Sequence, residues 1–302
     1  MKKSKAIFLL LRMPFLVVTI GAVLLGTAFA WWQKSQFDWL KFLLVLIGAC
    51  SFHVACNVAN DYFDFRSGTD AANRNAIAPF SGGSRMVLEG FVKPGEALAV
   101  SIIFAVLGSS IGLYLNFRVE GNVILGIGVL ALILVYGYNG PLLRLVNLGV
   151  GEIGIFLAWG PLMVGGAYYV QAGTFPDVWP LLAAYPSGIL TTLVLLINEF
   201  ADEEADRAAG RKTWINLFGF KRGMNIYFAL GLSCHGLVLA GVLFGGWPLL
   251  SLLVLLTLPL LLMVYRVGTK NIGNWVGFLP AVKATILMNF LFLTILSLSF
   301  VV

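Results

Sequence analysis

Eight of the chain's 14 acidic residues fall in two short stretches. The first, Asn57 to Asp70, reads N-V-A-N-D-Y-F-D-F-R-S-G-T-D and carries Asp61, Asp64 and Asp70. The second, Asn198 to Asp206, reads N-E-F-A-D-E-E-A-D and carries Glu199, Asp202, Glu203, Glu204 and Asp206. Residues three and four apart share a helix face. Asn57, Asn60/Asp61 and Asp64 therefore line one face, and Asn198, Asp202 and Asp206 line another. Carboxylates at this spacing repel by a few tenths of a kcal/mol, and an aspartate at membrane depth costs about 2.5–3.5 kcal/mol. A cation offsets both costs. Oxygen donors without Cys or His favour Mg2+ over Zn2+. Mg2+ usually takes one or two carboxylates and completes its shell with water and substrate phosphates. Two opposed faces of this kind suit a diphosphate bridged by two or more Mg2+. The competing reading is helix capping with salt bridges to Arg207, Arg211 and Lys212. Two clusters at matching places favour the metal–diphosphate reading.

The elements that must position these faces are membrane helices. The chain has 302 residues, 59% hydrophobic and only 11% charged, against about 25% charged in a soluble domain. A span needs about 20 apolar residues, and nine candidates fit: 14–32, 40–57, 97–117, 122–138, 152–170, 180–197, 225–245, 248–267 and 281–301. The run ending Ala28-Phe29-Ala30 could be a signal-peptide cleavage site. Arg12, Pro14 and the interfacial pair Trp31-Trp32 favour a retained span instead. With the N-terminus cytoplasmic and nine alternating spans, all basic residues except Lys34, Lys41 and Arg118 fall on the cytoplasmic side, as the positive-inside rule requires. Both acid clusters lie on that side, one after the second span and one after the sixth. The expectation is an all-α polytopic bundle forming one domain over 1–302. It consists of two parallel four-helix repeats, about 1–138 and 139–267, plus a final helix at 281–301.

The net charge of +6 reports this bias and not nucleic-acid binding. Cys50, Cys56 and Cys234 lack metal-ligand spacing and read as packing residues; His53 and His235 are too few for a histidine metal site. Gly108/Gly112 and Gly241/Gly245 read as close helix packing. Each acid cluster is followed by a basic segment. Ala78 to Arg85 reads A-P-F-S-G-G-S-R: Gly82-Gly83-Ser84 can offer backbone N–H groups to an anion, and Arg85 can pair with phosphate. Asp206 to Thr213 contributes Arg211 and Lys212, which also serve as topology anchors.

These residues resemble a known family. Asn60-Asp61-x-x-Asp64 and Asp202-x-x-x-Asp206 look like the two aspartate-rich motifs of UbiA-type intramembrane prenyltransferases, and Arg12-x-Pro14 opens the first span as in that family. The run from Gly140 through Gly149-Val150-Gly151-Glu152, and then Phe156 to Gly173, is similar to the branch that prenylates 1,4-dihydroxy-2-naphthoate in menaquinone biosynthesis. Two departures stand out. Gly68 sits where many members carry a third aspartate, with Asp70 two residues later. Asn198-Glu199-Phe200-Ala201 replaces the Asn-Asn-x-Arg common in the branch.

The resemblance implies a helical bundle around a central cavity that opens toward lipid. It implies Mg2+ held by Asp61, Asp64, Asp202 and Asp206, with Asn60 and Asn198 hydrogen-bonding the same shell. Arg66, Arg85, Arg211 and Lys212 would neutralise the leaving diphosphate. Tyr136 or Tyr138, Arg144 and Glu152 would line the acceptor side. The implied substrates are a polyprenyl diphosphate and an aromatic acceptor, dihydroxynaphthoate first and 4-hydroxybenzoate or another quinone precursor second, with no nucleic acid and no obligate protein partner. The implied setting is a bacterial inner membrane with the site on the cytoplasmic side. A secondary transporter is the competing class, but transporters usually site their ligands near the midplane between broken helices. These acids lie at span ends.

Overall fold

The computed structural model describes residues 3–76, 80–141, 143–175 and 178–302. Lys2, Ala78, Pro79 and Leu142, on which the sequence reading draws, lie outside them, as does the side chain of Pro180. Among the described residues every regular element is helical. In chain order these are α1 (Lys3–Leu10), a 3-10 turn at Met13–Phe15, α2 (Leu16–Lys34), α3 (Trp39–Ser67), α4 (Thr69–Ala72), α5 (Pro94–Asn116) and α6 (Val123–Gly137). There follow α7 (Leu145–Leu148), α8 (Gly151–Leu157), a π turn at Ala158–Leu162, α9 (Met163–Ala172), α10 (Val178–Ala208), α11 (Trp214–Phe244), a 3-10 segment at Leu249–Thr257, α12 (Leu258–Lys270) and α13 (Trp275–Ser299). Among the described residues eight helical stretches, taking α1 with α2, α8 with α9 and the 3-10 segment with α12 as one each, are long and apolar enough to cross a membrane, and α6 is a shorter apolar helix of 15 residues. This is the nine-helix bundle that the apolar runs predict.

The two acid-bearing helices outrun the membrane. α3 has 29 residues and α10 has 31, about 44 and 46 Å at 1.5 Å per residue, so each carries its apolar run across and then continues into a polar end. Asp38 starts α3 by accepting the Lys41 N–H at 3.0 Å. Gly68 ends it in the left-handed conformation at φ 79°, its N–H donating to Phe65 O, where any side chain would be strained. The departure at Gly68 is thus a helix stop, and it turns Asp70 back toward α3.

α10 is the axle of the bundle: 72% of its apolar window is buried, against 22% for α5 at the rim. It packs on α2, α8, α11 and α13, and Leu190, Leu193, Leu196, Ile197 and Phe200 are fully buried in the main core. On α5, Ile102, Ile103 and Val106 are exposed, as suits a lipid-facing helix.

The four glycines read as helix packing divide in use. A Cβ on Gly108 would stand 3.1 Å from Gly48 O, so Gly108 does bring α3 and α5 together. Gly241 and Gly245 instead seat the indole rings of Trp247 and Trp179, which a Cβ would meet at 2.4 and 2.6 Å. Gly112 has open space around it.

Candidate active site at the polar ends of two helices

The polar ends of α3 and α10 meet through Arg211, from the loop after α10. Its guanidinium donates to Asp64 on α3 and, at 3.0 Å, to Asp206 on α10. Asn60 and Asn139 also donate to Asp64, at 3.1 and 3.0 Å, and Asn139 donates to Asn60. Asp61 faces the other way along α3. It is buried and takes the Arg12 guanidinium, the Ser84 hydroxyl and the Ser84 N–H, the last at 3.1 Å. Asp202 accepts from Asn73 Nδ2 at 2.5 Å and from the Gly82 N–H at 3.3 Å. The two acid clusters, 141 positions apart at Asp61 and Asp202, are therefore one assembly.

The Gly82–Ser84 loop corrects an expectation. The Gly82 and Ser84 N–H groups do not stand open to an anion; they donate to the Asp202 and Asp61 carboxylates. Its glycines are needed for that approach. Gly82 and Gly83 have φ of 67° and 73°, and a Cβ on Gly83 would sit 2.9 Å from Asp61 Oδ1.

Charge in the cluster is finely opposed. Burial works against the Arg211 charge, yet Asp64 and Asp206 outweigh it and hold its pKa above the ordinary value. Asp70 is buried and accepts no hydrogen bond among the described residues. Burial first, and then the neighbouring Asp64 and Asp61, push its carboxyl up to about 8, as expected of a desolvated acid beside like charges.

Beneath the acids lies a cavity of about 190 Å³, lined by Asn57, Asn60, Asp64, Asp70, Asn198, Asp202, Asp206 and Arg211 among others. His53, Cys56, Tyr138, Ile155 and Trp159 line both this cavity and a second one of about 150 Å³. The second is apolar and runs along α3 to Leu44, Leu115 and Ile124. A π turn in the backbone shapes the junction. Pro161 has no N–H to give, Ser187 Oγ takes up the Trp159 carbonyl at 2.7 Å, and the Trp159 indole N–H donates to Thr19 Oγ1 at 3.0 Å. Thr19 Oγ1 in turn lies 2.7 Å from His53 Nδ1.

The residues expected at the site separate into two groups. Asn60, Asp64, Asn198, Asp202, Asp206, Arg211 and Tyr138 come together around the first cavity, whereas Asp61 is taken by Arg12 and Ser84 and is not among its lining residues. Of the two tyrosines only Tyr138 faces it; the Tyr136 hydroxyl lies 3.2 Å from Ser101 Oγ on α5. Lys212 is exposed and outside the cavity, and its N–H donates to Val146 O. Arg85 turns away to Glu89, 3.8 Å off, and to Asn73 O. Arg66 and Arg144 line a third cavity, on the far side of Asn139 and Arg211. Glu152 is buried and accepts the Trp214 N–H at 2.5 Å, capping α11; its side-chain neighbour is Glu199.

In the sequence Arg12 stands out only as a span marker and part of a family motif, and Ser84 only for its N–H; Asn73 and Asn139 do not stand out. Arg12 had a signal: an arginine inside an apolar run is costly unless it has a partner. The others sit in loops, where only the fold reveals the carboxylate they serve.

Among the described residues no three Asp, Glu, His or Cys side chains converge as a ready metal cage. Mg2+ does not need one. The donor set is all hard oxygen, and the buried Oδ1 atoms of Asn198 and Asn139 accept no hydrogen bond. The Asp70 carboxyl, too, lines the first cavity and has no hydrogen-bond donor among the described residues. These groups fit Mg2+.

The profile of the UbiA prenyltransferase family matches residues 19–296. The chain is 30% identical over 298 residues to the 1,4-dihydroxy-2-naphthoate octaprenyltransferase of Escherichia coli, covering 93% of this chain and 92% of that one. It is 28% identical over 259 residues to the 2-carboxy-1,4-naphthoquinone phytyltransferase of a Synechocystis species, covering 85% and 80%. The fold matches that of a UbiA homolog from Aeropyrum pernix at a TM-score of 0.69 and 17% identity, over 94% of this chain and 96% of that one. It also matches a UbiA homolog from Archaeoglobus fulgidus bound to GPP and Mg2+ at a TM-score of 0.65 and 15% identity, over 98% and 100%.

Proposed function

The chain belongs to the UbiA prenyltransferase family, and from that membership we propose that it transfers a polyprenyl group from polyprenyl diphosphate to 1,4-dihydroxy-2-naphthoate, with Mg2+, in menaquinone biosynthesis. One observation carries the reading. A cavity walled by acids from α3 and α10 adjoins an apolar cavity, with Tyr138 and Trp159 in the wall of both. That is the shape of a substrate with a diphosphate head and a hydrocarbon tail. The relatives' names supply the acceptor. The Asn198-Glu199-Phe200-Ala201 departure keeps a second acceptor in view, 4-hydroxybenzoate or another quinone precursor. We read the enzyme as a multi-pass protein of a bacterial inner membrane, N-terminus inside and site on the cytoplasmic face, built of two parallel four-helix repeats.

In this reading Asp61, Asp64, Asp202 and Asp206 hold Mg2+ directly or through water, and Asn60 and Asn198 hydrogen-bond the same shell. Mg2+ supplies stabilisation of the negative charge that develops on the leaving diphosphate. Arg211 and Arg12, both in the wall of the acid cavity, add fixed positive charge. The allylic carbon sits at the junction, where the ring faces of Trp159 and Tyr138 favour a developing cation and the apolar wall keeps water away. The electron-rich ring of the acceptor attacks there: the allylic C–O bond breaks and diphosphate leaves, and a C–C bond forms at a ring carbon. That carbon gives up the group it held, a proton or, where it bears the carboxylate, carbon dioxide, which restores the aromatic ring.

The test is direct. Purified protein offered one polyprenyl diphosphate, Mg2+ and a panel of aromatic acceptors should give a prenylated naphthoate-derived product by mass spectrometry. Asp61→Asn and Asp202→Asn should each abolish transfer while the protein still inserts and folds. Full activity in either variant sinks the metal assignment.

A further inference from the structure

At the seam between the acid cavity and the apolar cavity, a short chain of hydrogen bonds runs in one direction. Thr19 on α2 is completely buried. Its hydroxyl lies 3.0 Å from the Trp159 indole nitrogen and 2.7 Å from His53 Nδ1. An indole N–H only donates, so Thr19 Oγ1 accepts from Trp159. Thr191, Thr192 and Thr285 send their own protons to carbonyls four residues back. Thr19 makes no such bond among the described residues, and its one proton goes to His53 Nδ1. Nδ1 is therefore the bare nitrogen of a neutral ring. Were it protonated, the Thr19 proton would be buried without an acceptor, at the full cost of desolvating it. His53 thus carries its own proton on Nε2. Nε2 makes no hydrogen bond among the described residues, and His53 lines both cavities.

We propose that His53 donates this Nε2–H to the ester oxygen that joins the prenyl chain to its diphosphate, with Thr19 and Trp159 as the residues that position it. The proposal rests on the prenyl-transfer reading above. With the diphosphate among the acids and the hydrocarbon tail in the apolar cavity, the ester oxygen is the polar atom of that substrate at the seam. The other seam residues offer less. Ile155 has no polar side-chain atom, the Trp159 N–H is spent on Thr19, and Cys56 has only a weak S–H donor. A Cβ on Gly151 would stand 3.3 Å from the Tyr138 hydroxyl, so that hydroxyl points to the start of α8. A neutral donor also suits the chemistry. As the allylic C–O bond breaks, its electron pair stays on the oxygen and positive charge grows on the carbon beside it. A cationic side chain would favour the oxygen and oppose the carbon. An imidazole N–H binds the oxygen more strongly as negative charge builds there and keeps its proton throughout. The bonds from Trp159 through Thr19 to His53 all point toward the substrate, so each polarises the next.

The experiment has a binding arm and a turnover arm, both on the full chain in detergent. The chain has two histidines, His53 and His235, so 15N-histidine labelling reads both rings, and His53→Gln or His235→Gln assigns the signals. His53 should show a bare Nδ1 and a protonated Nε2. Its Nε2 signal should move when geranyl diphosphate and Mg2+ are added. It should move less with S-geranyl thiolodiphosphate, whose bridging sulfur is a poor acceptor. In turnover, Thr19→Val and His53→Leu should each lower kcat about ten-fold with KM for both substrates nearly unchanged, and Thr19→Ser should recover the rate. A bare Nε2 overturns the proposal, as does an equal response to the oxygen and sulfur donors. So does a loss that appears in acceptor KM, which assigns the N–H to the aromatic substrate. The binding arm requires no turnover and stands on the parent protein even where a variant folds poorly. If the parent prenylates no acceptor, an oxygen-against-sulfur difference at His53 still upholds the contact, and its absence ends it.

Discussion

Arg211 is the residue on which the two acid clusters turn. It bridges Asp64 and Asp206, and all three side chains are largely buried. Removing one member of a buried charge network leaves the others uncompensated, at a cost of about 3–5 kcal/mol. Arg211→Gln should therefore unfold at a clearly lower temperature in detergent than the parent. Mg2+ with pyrophosphate should stabilise the variant by more than it stabilises the parent, because the added cations take over the orphaned carboxylates. A variant as stable as the parent, or equal stabilisation of both, contradicts this picture. The aspartates themselves were legible in the sequence, since eight acids in two stretches of a charge-poor chain demand a reason. Their partners were not. Asp61 is answered by Arg12, 49 positions away, and Asp64 by Asn139, 75 positions away. No spacing rule spans such distances.

At the scale of elements, helix periodicity anticipates that Asn57, Asn60 and Asp64 of α3 and Asn198, Asp202 and Asp206 of α10 line one cavity, because both helices run unbroken from apolar span to acid end. It puts Asp61 on the same face, whereas Asp61 is held by Arg12 and Ser84. What it could not forecast is the break in the fifth span. The π turn at Ala158–Leu162 looks apolar and helical in sequence, and only Pro161 hints at it. The turn fits because α10 offers a flat surface beside it. A Cβ on Gly188 would stand 2.6 Å from Phe156 O and 2.7 Å from Phe156 Cδ2, and one on Gly160 would stand 3.0 Å from Ala184 O. Gly188→Ala should therefore force α8 and the π turn off α10, even though alanine is the better helix former. Overpacking of this kind costs about 1–3 kcal/mol. Because Trp159 hangs from the displaced turn, activity should fall by more than the stability loss explains. Thermal unfolding and turnover measured on the same preparation decide the point; a neutral Gly188→Ala would mean that the contact relaxes freely.

The whole molecule joins a water-facing acid site to a groove that follows α3 through the membrane. Leu44 and Cys56 mark the groove's ends on α3, a rise of about 18 Å at 1.5 Å per residue. A short prenyl chain needs only its upper part near Tyr138 and Trp159, whereas a long one must run its length. Gly112 and Gly128 both line this groove, and a Cβ at either meets nothing within 4 Å. A larger side chain there projects into the groove and not into packed protein. Gly128→Leu removes a helix-interior glycine worth roughly 0.5–1 kcal/mol against a good helix former, so the fold should survive. Transfer from a long polyprenyl diphosphate should drop sharply. Transfer from dimethylallyl diphosphate, whose tail stays near the junction, should persist. Competition between the two donors, with products read by mass spectrometry, tests this in one reaction. If Gly128→Leu slows both donors alike, the tail does not follow the groove along α3, and the apolar cavity must be assigned to bulk lipid instead.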